Sequence, residues 1–410
     1  MLNPSFCNEM PTGVKDYLPL DTTRKRFIED RLRSVYEKWG YQEIGTPTFE
    51  FYDTIRAGVG PRLSEQTYKL FDRRGRILAL RPDMTTPIAR LVATKMSQET
   101  KPLRLFYLAN VFRYRENQGG RDHEFHQAGL ELIGSPVAEA DAEVIAIAIH
   151  SLAAFGVENL RIGIGHVGVT DGLLEEAGLS REEKDKAREL LPKKDFVALE
   201  KLVQGGTSSG PGRLLWKAMT RTLDVDAIEA IMPQVERAKT RSALANLGRI
   251  LMVLKSWGLA ERVQVDLSLV RDFEYYTGMI FEGYLHGLGA PIFVGGRYDK
   301  LLDTFGLNLG ATGYALTIEE LTDALKGSGL PLNPRPVDYL VVPTGGESGM
   351  AYQEAERLRS RGFVVEMALE TEDLQAVLSY ARRRGVKSVL YVGADGIRNE
   401  DISRDGGVVR

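Results

Sequence analysis

The stretch RLFYLANVFRYRENQGGRDHEFHQAGLELIG, Arg104–Gly134, contains two long apolar segments separated by a short polar one. Leucine, phenylalanine, tyrosine and valine are frequent in the outer segments, whereas NQGGRDH, residues 117–123, has the glycine and polar residues of a turn. This pattern predicts two antiparallel strands joined by a loop. In the second strand Gln127 and Glu131 are four residues apart, which places both side chains on one face of the sheet.

The segments on either side of this hairpin predict further helices and strands. A stripe of apolar residues predicts a helix from about Thr22 to Trp39, with Gly40 as its end. KLFD and ILAL predict a second hairpin with RRGR as its turn, followed by a helix that begins at Thr85. Further strands are predicted at NLRIGIGHV and within VQVDLSLVRDFEYYTGMIFEGYL and PIFVGGRYDKLL. Helices and hairpins in this combination predict an α+β domain around an antiparallel sheet.

Two changes of pattern along the chain predict its domain organisation. Between about residues 169 and 258 the pattern is almost wholly helical, so we expect a helical insertion between two parts of one sheet. Glycine and proline concentrate in GSGLPLNPRPV, residues 327–337, which predicts a linker after a first domain of residues 1–326. Alternating strands and helices then predict a small parallel α/β domain over residues 338–410.

The composition, with 43% hydrophobic and 27% charged residues, is typical of a globular protein. A formal charge of -3 gives little support for a large basic surface, so we expect no tRNA binding. One cysteine excludes an internal disulfide, and the five histidines form no recognised ligand motif, so we expect neither a metal nor a cofactor. The first twenty residues lack the regions of a secretory signal, and no apolar run is long enough to span a bilayer. These features predict a cytoplasmic protein without a membrane partner.

Several charged and polar side chains fall where strands would bury them. Asp83 and Thr85 follow the strand ILAL, Arg113 ends the strand before the loop, and Glu131 lies within the strand after it. A free amino acid matches such a set, because its ammonium needs a carboxylate and its carboxylate needs an arginine. The same residues, with Arg271 as a further cation, could instead form internal ion pairs across a sheet. Sequence periodicity does not distinguish these two interpretations.

These segments resemble the class II aminoacyl-tRNA synthetase fold, in its histidyl-tRNA synthetase version, over most of the chain. RPDMT, Arg81–Thr85, is similar to the family motif that holds the amino-acid ammonium, with Asp83 in place of the usual glutamate. FRYR together with EFHQAGLELIG resembles motif 2, and LVRDFEYYTGMIFE resembles the histidine-recognition segment. GGRYDKLL, Gly295–Leu302, resembles a strand-to-helix turn of the family.

The resemblance implies a histidine-binding site. It assigns the ammonium to Asp83, Thr85 and Gln127, and it places two arginines near the carboxylate. It assigns the imidazole ring to a carboxylate and a phenol, since a ring with two nitrogens needs an acceptor and a second polar partner. The histidine-binding residues that it implies are Asp83, Thr85, Arg113, Gln127, Glu131, Arg271, Tyr275, Tyr276 and Tyr298.

Three positions depart from the synthetase pattern where that family faces ATP. GATGYALTIEEL, Gly310–Leu321, looks like a glycine-rich turn that opens a helix, a common phosphate site, but Glu320 occupies the position of the motif 3 arginine. Arg115 replaces the glutamate of motif 2, and Gly278 replaces an arginine after the tyrosine pair. Phe125 matches the ring that stacks on adenine. Loss of one donor that stabilises the transition state costs about 3 kcal/mol. We therefore predict a degenerate nucleotide site at Arg115, Phe125, Gly278 and Glu320, and no catalytic residue in the chain.

A histidine pocket on a scaffold without adenylation residues resembles the regulatory subunits of ATP phosphoribosyltransferase, the first enzyme of L-histidine biosynthesis. LRPDMTTPIARLVAT, IGHVG and YYTGMIFE are similar to segments of that family. The resemblance implies a noncatalytic chain that dimerises and assembles with the short-form catalytic subunit into a hetero-octamer. Such a chain activates its partner and transmits feedback inhibition when L-histidine binds. The alternatives are a divergent histidyl-tRNA synthetase and a tRNA-binding module.

Overall fold

A computed structural model of the chain describes residues 8–114, 122–204, 211–219, 225–269, 275–326, 330, 335–369 and 373–402. The chain divides into two compact units, Met1–Pro331 and Leu332–Arg410. None of the described helices is both long enough and apolar enough to cross a membrane.

The helices of the first unit are α1 (Pro19–Lys38), α2 (Tyr52–Glu65), α3 (Thr85–Lys95), α4 (Ala138–Ala153), α5 (Val167–Glu176), α6 (Arg181–Leu190), α7 (Phe196–Gln204), α8 (Pro211–Met219), α9 (Val225–Ile231), α10 (Ala238–Ser256) and α11 (Ile318–Ala324). Its strands are β1 (Gln42–Glu43), β2 (Phe49–Phe51), β3 (Lys69–Phe71), β4 (Ile77–Leu80), β5 (Leu103–Phe112), β6 (Glu124–Ile133), β7 (Arg161–His166), β8 (Val263–Val265), β9 (Met279–Tyr284), β10 (Phe293–Arg297) and β11 (Ala311–Thr317).

The main sheet has eight strands in the order β1-β5-β6-β11-β10-β9-β7-β8. Six neighbouring strands pair antiparallel, as the sequence predicts, in the sheet order β5, β6, β11, β10, β9 and β7. At the two edges, β1 pairs parallel with β5, and β8 pairs parallel with β7. Parallel pairing of this kind needs a long crossover connection. The small sheet with α2 and α3 provides it at one edge, and the helices α5 to α10 provide it at the other. The predicted helical insertion between two parts of one sheet is therefore confirmed.

One face of the main sheet packs against α1 and α4. Tyr36 of α1 is fully buried, and its ring centroid lies 5.3 Å from that of Phe106 on β5. Twelve of the 16 residues of α4 are buried, because this helix lies between the sheet and α10. The helix α1 begins at Pro19, three residues before the predicted start, since proline is favoured in the first turn of a helix. The opposite face of the sheet remains partly open and carries a cavity.

The hairpin that precedes α3 belongs to a separate three-stranded sheet in the order β2-β4-β3. On one face Ala79 is fully buried against Ile55 and Val59 of α2, and Glu50 pairs with Arg90 of α3 at 2.6 Å. These contacts fix the position at which the chain leaves β4 and enters α3. The loop between them contains Asp83, so this sheet sets the position of that carboxylate relative to the main sheet.

The second unit contains α12 (Ser348–Ser360), α13 (Leu374–Arg384), β12 (Tyr339–Pro343), β13 (Val365–Met367), β14 (Ser388–Gly393) and β15 (Gly396–Asp401). Its sheet order is β13-β12-β14-β15, with the first three strands parallel. The strand β15 pairs antiparallel with β14 and is not predicted from the sequence. Its residues are polar and mostly exposed, as is common for an edge strand, so it lacks the apolar pattern of the other strands.

The segment GATGYALTIEEL differs from its sequence-based prediction. Residues Ala311–Thr317 form the central strand β11 rather than a glycine-rich turn, and the helix begins only at Ile318. The backbone N–H groups of this stretch are paired with β6 and β10. A phosphate cradle needs free N–H groups, so this backbone does not form one.

Candidate functional site

A cavity of about 170 Å³ lies on the open face of the main sheet. It is comparable in size with the roughly 150 Å³ cavity that holds a benzene molecule in an engineered protein. The residues that line it are Asp83, Thr85, Tyr107, Arg113, Phe125, Gln127, Glu131, Tyr275, Tyr276, Ala290, Pro291, Ile292, Phe293, Val294, Tyr298, Gly313, Tyr314, Ala315, Thr317 and Glu320. The structure thus brings most of the sequence-predicted site residues to one place.

Strand register explains why residues from distant parts of the sequence meet here. Because side chains alternate along a strand, directly paired residues of neighbouring strands share a face. On the cavity face these pairs form three rows that run across the strands. The rows are Leu105, Glu131, Gly313 and Gly296; Tyr107, Gly129, Ala315 and Val294; and Ala109, Gln127 and Thr317.

Two buried acceptors lie at the cavity without a partner in the described part of the chain. Oδ2 of Asp83 and Oε1 of Gln127 are both shielded from solvent and make no hydrogen bond there. Burial raises the pKa of Asp83 to about 6, and the nearby Arg113 guanidinium opposes that rise. An unpaired buried acceptor costs about 1–3 kcal/mol. This part of the cavity is therefore suited to a ligand group that donates several hydrogen bonds.

Arg113 lies beside these acceptors. Its Nε donates to the carbonyl oxygen of Pro82 at 2.7 Å, and its guanidinium carbon lies 5.3 Å from the centroid of the Phe125 ring. Burial lowers the pKa of Arg113, but the neighbouring Asp83 carboxylate opposes this effect. The backbone bond and the ring contact fix the direction of the side chain. The other predicted cation, Arg271, lies outside the described residues.

Glu131 is the most strongly perturbed carboxyl group of the cavity. Its Oε1 accepts from the Thr85 hydroxyl at 2.9 Å, and its Oε2 accepts from the Tyr298 hydroxyl. Burial raises the pKa of Glu131 to about 8, although these two hydrogen bonds favour the ionised form. In the described part of the chain its partners are hydroxyl groups and not a guanidinium. This arrangement does not support the interpretation of Glu131 as a member of an ion pair with Arg113.

Glycine at position 313 makes room for that carboxylate. A β-carbon there would lie 2.0 Å from Oε2 of Glu131. In the neighbouring row, a β-carbon at Gly129 would lie 2.4 Å from the Tyr107 hydroxyl oxygen. These two glycines are required by close approach to side chains, and neither has a backbone conformation that only glycine adopts.

Aromatic rings enclose the Glu131 side of the cavity. The ring centroid of Tyr275 lies 4.9 Å from that of Tyr276 and 5.8 Å from that of Tyr298. Burial raises the pKa of Tyr275 and of Tyr298 well above the ordinary value for tyrosine. These phenols are therefore neutral hydrogen-bonding groups at physiological pH.

The adjacent carboxylates of α11 have different environments. Glu319 accepts from the Tyr17 hydroxyl at 2.6 Å and, through Oε2, from the backbone N–H of His126 at 3.0 Å, while Nδ1 of His126 lies 2.8 Å from its Oε1. Burial opposes its ionisation, but the hydrogen bonds outweigh burial and lower the pKa of Glu319. Glu320 instead lines the cavity together with Phe125. Arg115, predicted beside it, lies outside the described residues.

Gly278 is a predicted site residue that the structure does not bring to the cavity lining. Instead, a β-carbon at this position would lie 2.9 Å from Cδ of Arg297. Nε of Arg297 donates to Asp141 of α4 at 3.1 Å, and its Nη1 donates to the carbonyl oxygen of Ser135 at 3.0 Å. Gly278 therefore makes room for a buried structural arginine, and its assignment to the degenerate nucleotide site stays a prediction.

A family model for histidyl-tRNA synthetase matches residues 13–321. An ATP phosphoribosyltransferase regulatory subunit from Moorella thermoacetica is 42% identical over 379 residues, which cover 92% of this chain and 96% of that protein. The chain belongs to the family of ATP phosphoribosyltransferase regulatory subunits. The regulatory subunit from Symbiobacterium thermophilum is 41% identical over 400 residues, which cover 97% of this chain and 100% of that protein.

A solved structure is similar over almost the whole chain. This crystal structure of an ATP phosphoribosyltransferase regulatory subunit/histidyl-tRNA synthetase from Bacillus halodurans matches with a TM-score of 0.82 at 33% identity. The match covers 94% of this chain and 98% of the other. Together with the family match, it confirms the predicted α+β fold of the class II synthetase type.

In this regulatory-subunit family member, sequence reasoning did not identify Tyr107 or Gly313 as cavity residues. Tyr107 lies in an apolar strand and has the pattern of a core residue, since only its hydroxyl differs from phenylalanine. Gly313 lacks a side chain, and its sequence neighbours predict a turn. Two sequence signals point to them. Tyr107 and Arg113 are separated by an even number of positions along an extended segment, which favours one face for both side chains, and a glycine inside a strand often marks a close approach.

Proposed function

We propose that this chain is a noncatalytic regulatory subunit that binds L-histidine in the cavity. In this proposal it activates the short-form catalytic subunit of ATP phosphoribosyltransferase and transmits feedback inhibition to it. The observation that carries the proposal is a pair of buried acceptors on Asp83 and Gln127. They have no partner among the described residues and lie at the same cavity as the hydroxyl-bound carboxyl group of Glu131. Family membership supports the assignment of the partner.

The acceptors match the ammonium group of an amino acid. Ammonium donates three hydrogen bonds and accepts none, so Asp83 Oδ2 and Gln127 Oε1 would accept two of these hydrogen bonds. The Thr85 oxygen, which donates its own proton to Glu131, can accept the third. Arg113, with Arg271, would hold the carboxylate. A charge-assisted bond to a buried group contributes about 1.5–3 kcal/mol, which favours a charged ligand over water.

The Glu131 side of the cavity matches an imidazole. Each carboxyl oxygen of Glu131 accepts one hydrogen bond from the protein and retains a further lone pair for a ring N–H. Tyr275, Tyr276 and Tyr298 provide flat surfaces and hydroxyl groups around it. A carboxyl group surrounded by phenols favours a flat ring with an N–H donor over an aliphatic side chain.

Glu320 supports a loss of adenylate formation. Glu320 lines the cavity, and the resemblance gives the synthetase family an arginine against phosphate at this sequence position. Phosphate chemistry depends on cations that stabilise developing negative charge, and a carboxylate at that position repels it. We therefore propose that histidine binds without being activated by ATP.

Self-association is part of the proposal. Phe49 is 53% exposed and Phe51 is 43% exposed, and both lie on the face of the small sheet that is turned away from α2 and α3. Leu70, Leu78 and Leu80 share that face and are partly buried. We call these five residues the apolar sheet face. Contiguous exposed apolar residues mark interaction sites, and this face supports dimerisation through the synthetase-like unit.

Copurification with a short-form catalytic subunit tests the proposal. We expect a stable complex whose phosphoribosyltransferase activity exceeds that of the catalytic subunit alone and falls when L-histidine is added. The isolated chain should bind L-histidine and show no histidine-dependent exchange between ATP and pyrophosphate. Robust exchange together with tRNA charging would instead identify a divergent histidyl-tRNA synthetase.

A further inference from the structure

A cavity of about 390 Å³ lies in the second unit, between α13 and the edge strand β13. Its walls are mostly apolar and include Met367, Leu369 and Ala376, while Tyr380 and Arg383 add one phenol and one cation. The cavity is larger than the one that we assign to histidine, and it lies beyond the residues 13–321 that match the synthetase family model. The proposed function does not use it.

Apolar side chains at this cavity are exposed to solvent. Leu369, which lines the cavity, is 97% exposed, and Leu374, the first residue of α13, is 46% exposed. The Tyr380 hydroxyl donates to Oε2 of Glu366 at 2.8 Å, which holds the ring beside β13. A small ligand inside the cavity would leave Leu369 in water, whereas a polypeptide covers the cavity and the leucines together. The exposed leucines therefore favour a protein partner.

The helix α13 has two faces that carry apolar residues. Val377 and Ala381 are buried in the core between α13 and the sheet. Ala376, Tyr380 and Arg383 follow at spacings of four and three residues, so they share the neighbouring face and line the cavity together. Packing within the described part of the second unit leaves this neighbouring face exposed.

The two ends of that face carry opposite charges. Asp373 begins the helix: its Oδ1 accepts from the backbone N–H of Gln375 at 2.9 Å, and a carboxylate can accept further hydrogen bonds. At the other end Arg384 pairs with Glu366 at 2.8 Å, whereas Arg383 forms no ion pair with any described residue. Asp373 and Arg383 lie about 15 Å apart along the helix axis.

We propose that this surface binds the same surface of a second copy of the chain, with the two α13 helices antiparallel across a twofold axis. The surface consists of Leu369, Asp373, Leu374, Tyr380 and Arg383, and we call it the α13 face. A twofold interface uses one patch on both copies, so the patch must be complementary to itself. Antiparallel helices meet this requirement, because they bring the acidic end of each α13 to the basic end of the other.

The same arrangement gives the exposed leucines a place to be buried. Leu369 and Leu374 lie at the N-terminal end of α13, so they face the C-terminal end of the other copy's helix and the cavity beside it. The contact is small, since one helix and one groove form it, and we expect a dissociation constant on the order of 0.1 mM. It is separate from the apolar sheet face and acts at higher chain concentration.

Sedimentation equilibrium of the full chain tests the α13 face. Between about 5 and 500 µM the particle mass of the wild type should double. Leu369→Ser should raise the dissociation constant of this step about 10-fold. The matched control is Met350→Ser, because Met350 is 43% exposed on α12, the other helix of the same unit. The control should associate like the wild type. A constant wild-type mass, or equal association of Leu369→Ser and the wild type, would overturn the proposal.

Charge reversal tests the antiparallel pairing. Arg383→Asp and Asp373→Arg each place like charges opposite one another, so neither variant should associate alone. An equimolar mixture should recover the doubling of mass, because the new carboxylate of one variant then faces the new guanidinium of the other. The recovery also shows that both variants are folded. A mixture that stays dissociated while Arg383→Asp alone associates like the wild type would rule out this pairing.

Other occupants of the cavity give a different result. If the wild-type mass stayed constant while Leu369→Ser lost binding to the catalytic subunit or to RNA, the cavity would belong to that partner and the second copy would be excluded. These measurements use no histidine, so their failure leaves the proposed histidine binding unaffected.

Discussion

Gly313 and Glu131 lie opposite each other on the neighbouring antiparallel strands β11 and β6, and a β-carbon on Gly313 would come within 2.0 Å of Glu131 Oε2. The carboxyl group therefore lies directly over the backbone of the next strand. Thr85 and Tyr298 hold it there through their hydroxyl groups. A glycine that the sequence associates with nucleotide binding thus positions the carboxyl group that we propose for histidine recognition.

Gly313→Ala should displace Glu131 and weaken histidine binding by at least about 10-fold, with a loss of about 1–3 kcal/mol in the free energy of unfolding through overpacking. Titration calorimetry and urea denaturation measure the two effects. Gly248→Ala is the matched control, because Gly248 lies within α10 with no atom within 4 Å of an added β-carbon. The control should be neutral or stabilising. Unchanged histidine affinity in Gly313→Ala would contradict the positioning role.

The stability of the ligand-free protein should fall as pH rises through neutrality. Burial raises the pKa of Glu131 from 4.5 to about 8, so the folded chain retains a proton that the unfolded chain has released. The resulting contribution to the free energy of unfolding is complete below about pH 4.5 and is lost as pH rises through 8. The free energy of unfolding then falls by up to about 1.4 kcal/mol per pH unit. Urea denaturation between pH 6.5 and 8 should show a smaller slope for Glu131→Gln.

A second variant separates this carboxyl group from its neighbour in the cavity. Burial raises the pKa of Asp83 from 3.8 to about 6, so Asp83→Asn should change the slope mainly between those values. Identical pH dependence of the wild type and Glu131→Gln across the neutral range would show that Glu131 is ionised in the folded state. Such a result would contradict a raised pKa for Glu131.

The spacing of Gln127 and Glu131 predicted that they share a face, and the structure places both at one cavity. That inference needed only the alternation of side chains along a strand. The neighbours of those residues on β11 could not be inferred in the same way, because strand register depends on the complete sheet. Gly313 meets Glu131 only because β11 lies between β6 and β10 in the sheet and pairs antiparallel with both.

The steric requirement at Gly278 could not be inferred from the sequence motif for a related reason. A linear motif places this residue beside the tyrosine pair, but its neighbour in space is Arg297 from the adjacent strand β10. Arg297 is 5% exposed and bonded to Asp141 of α4. A buried ion pair between distant segments has no local sequence signal, so the steric requirement at Gly278 appears only in the folded chain.

Replacement of Glu319 by alanine should destabilise the fold. Glu319 receives hydrogen bonds from Tyr17 and the backbone of His126, and its loss should cost about 3 kcal/mol of unfolding free energy. The control is Glu37→Ala, at an exposed position of α1, which should cost less than about 1 kcal/mol. Urea denaturation of the two variants gives the comparison. Equal losses of stability would contradict the structural role of the Glu319 carboxylate.

The double variant Phe49→Asp/Phe51→Asp should convert a dimer to a monomer. A carboxylate placed in a buried apolar interface costs several kcal/mol, on the order of 2–7 for a polar group without a partner. Sedimentation equilibrium measures the change. Phe71→Asp is the matched control, because Phe71 is 73% exposed on the opposite face of the same sheet. Dissociation in the control, or an intact dimer in the double variant, would contradict the role of the apolar sheet face.

Glu131→Ala and Tyr276→Phe should relieve feedback inhibition of the holoenzyme without preventing its assembly. Both residues line the cavity, and we expect each change to weaken histidine binding by about 10-fold or more. A ligand regulates only if it binds two states of the complex with different affinities. Loss of the pocket contacts should therefore remove inhibition and leave basal activation by the regulatory chain unchanged. Activity of the copurified complex over a range of histidine concentrations measures both effects. Inhibition of normal potency in both variants would place the inhibitory histidine outside this cavity, whereas loss of the complex itself would show that the cavity residues support assembly.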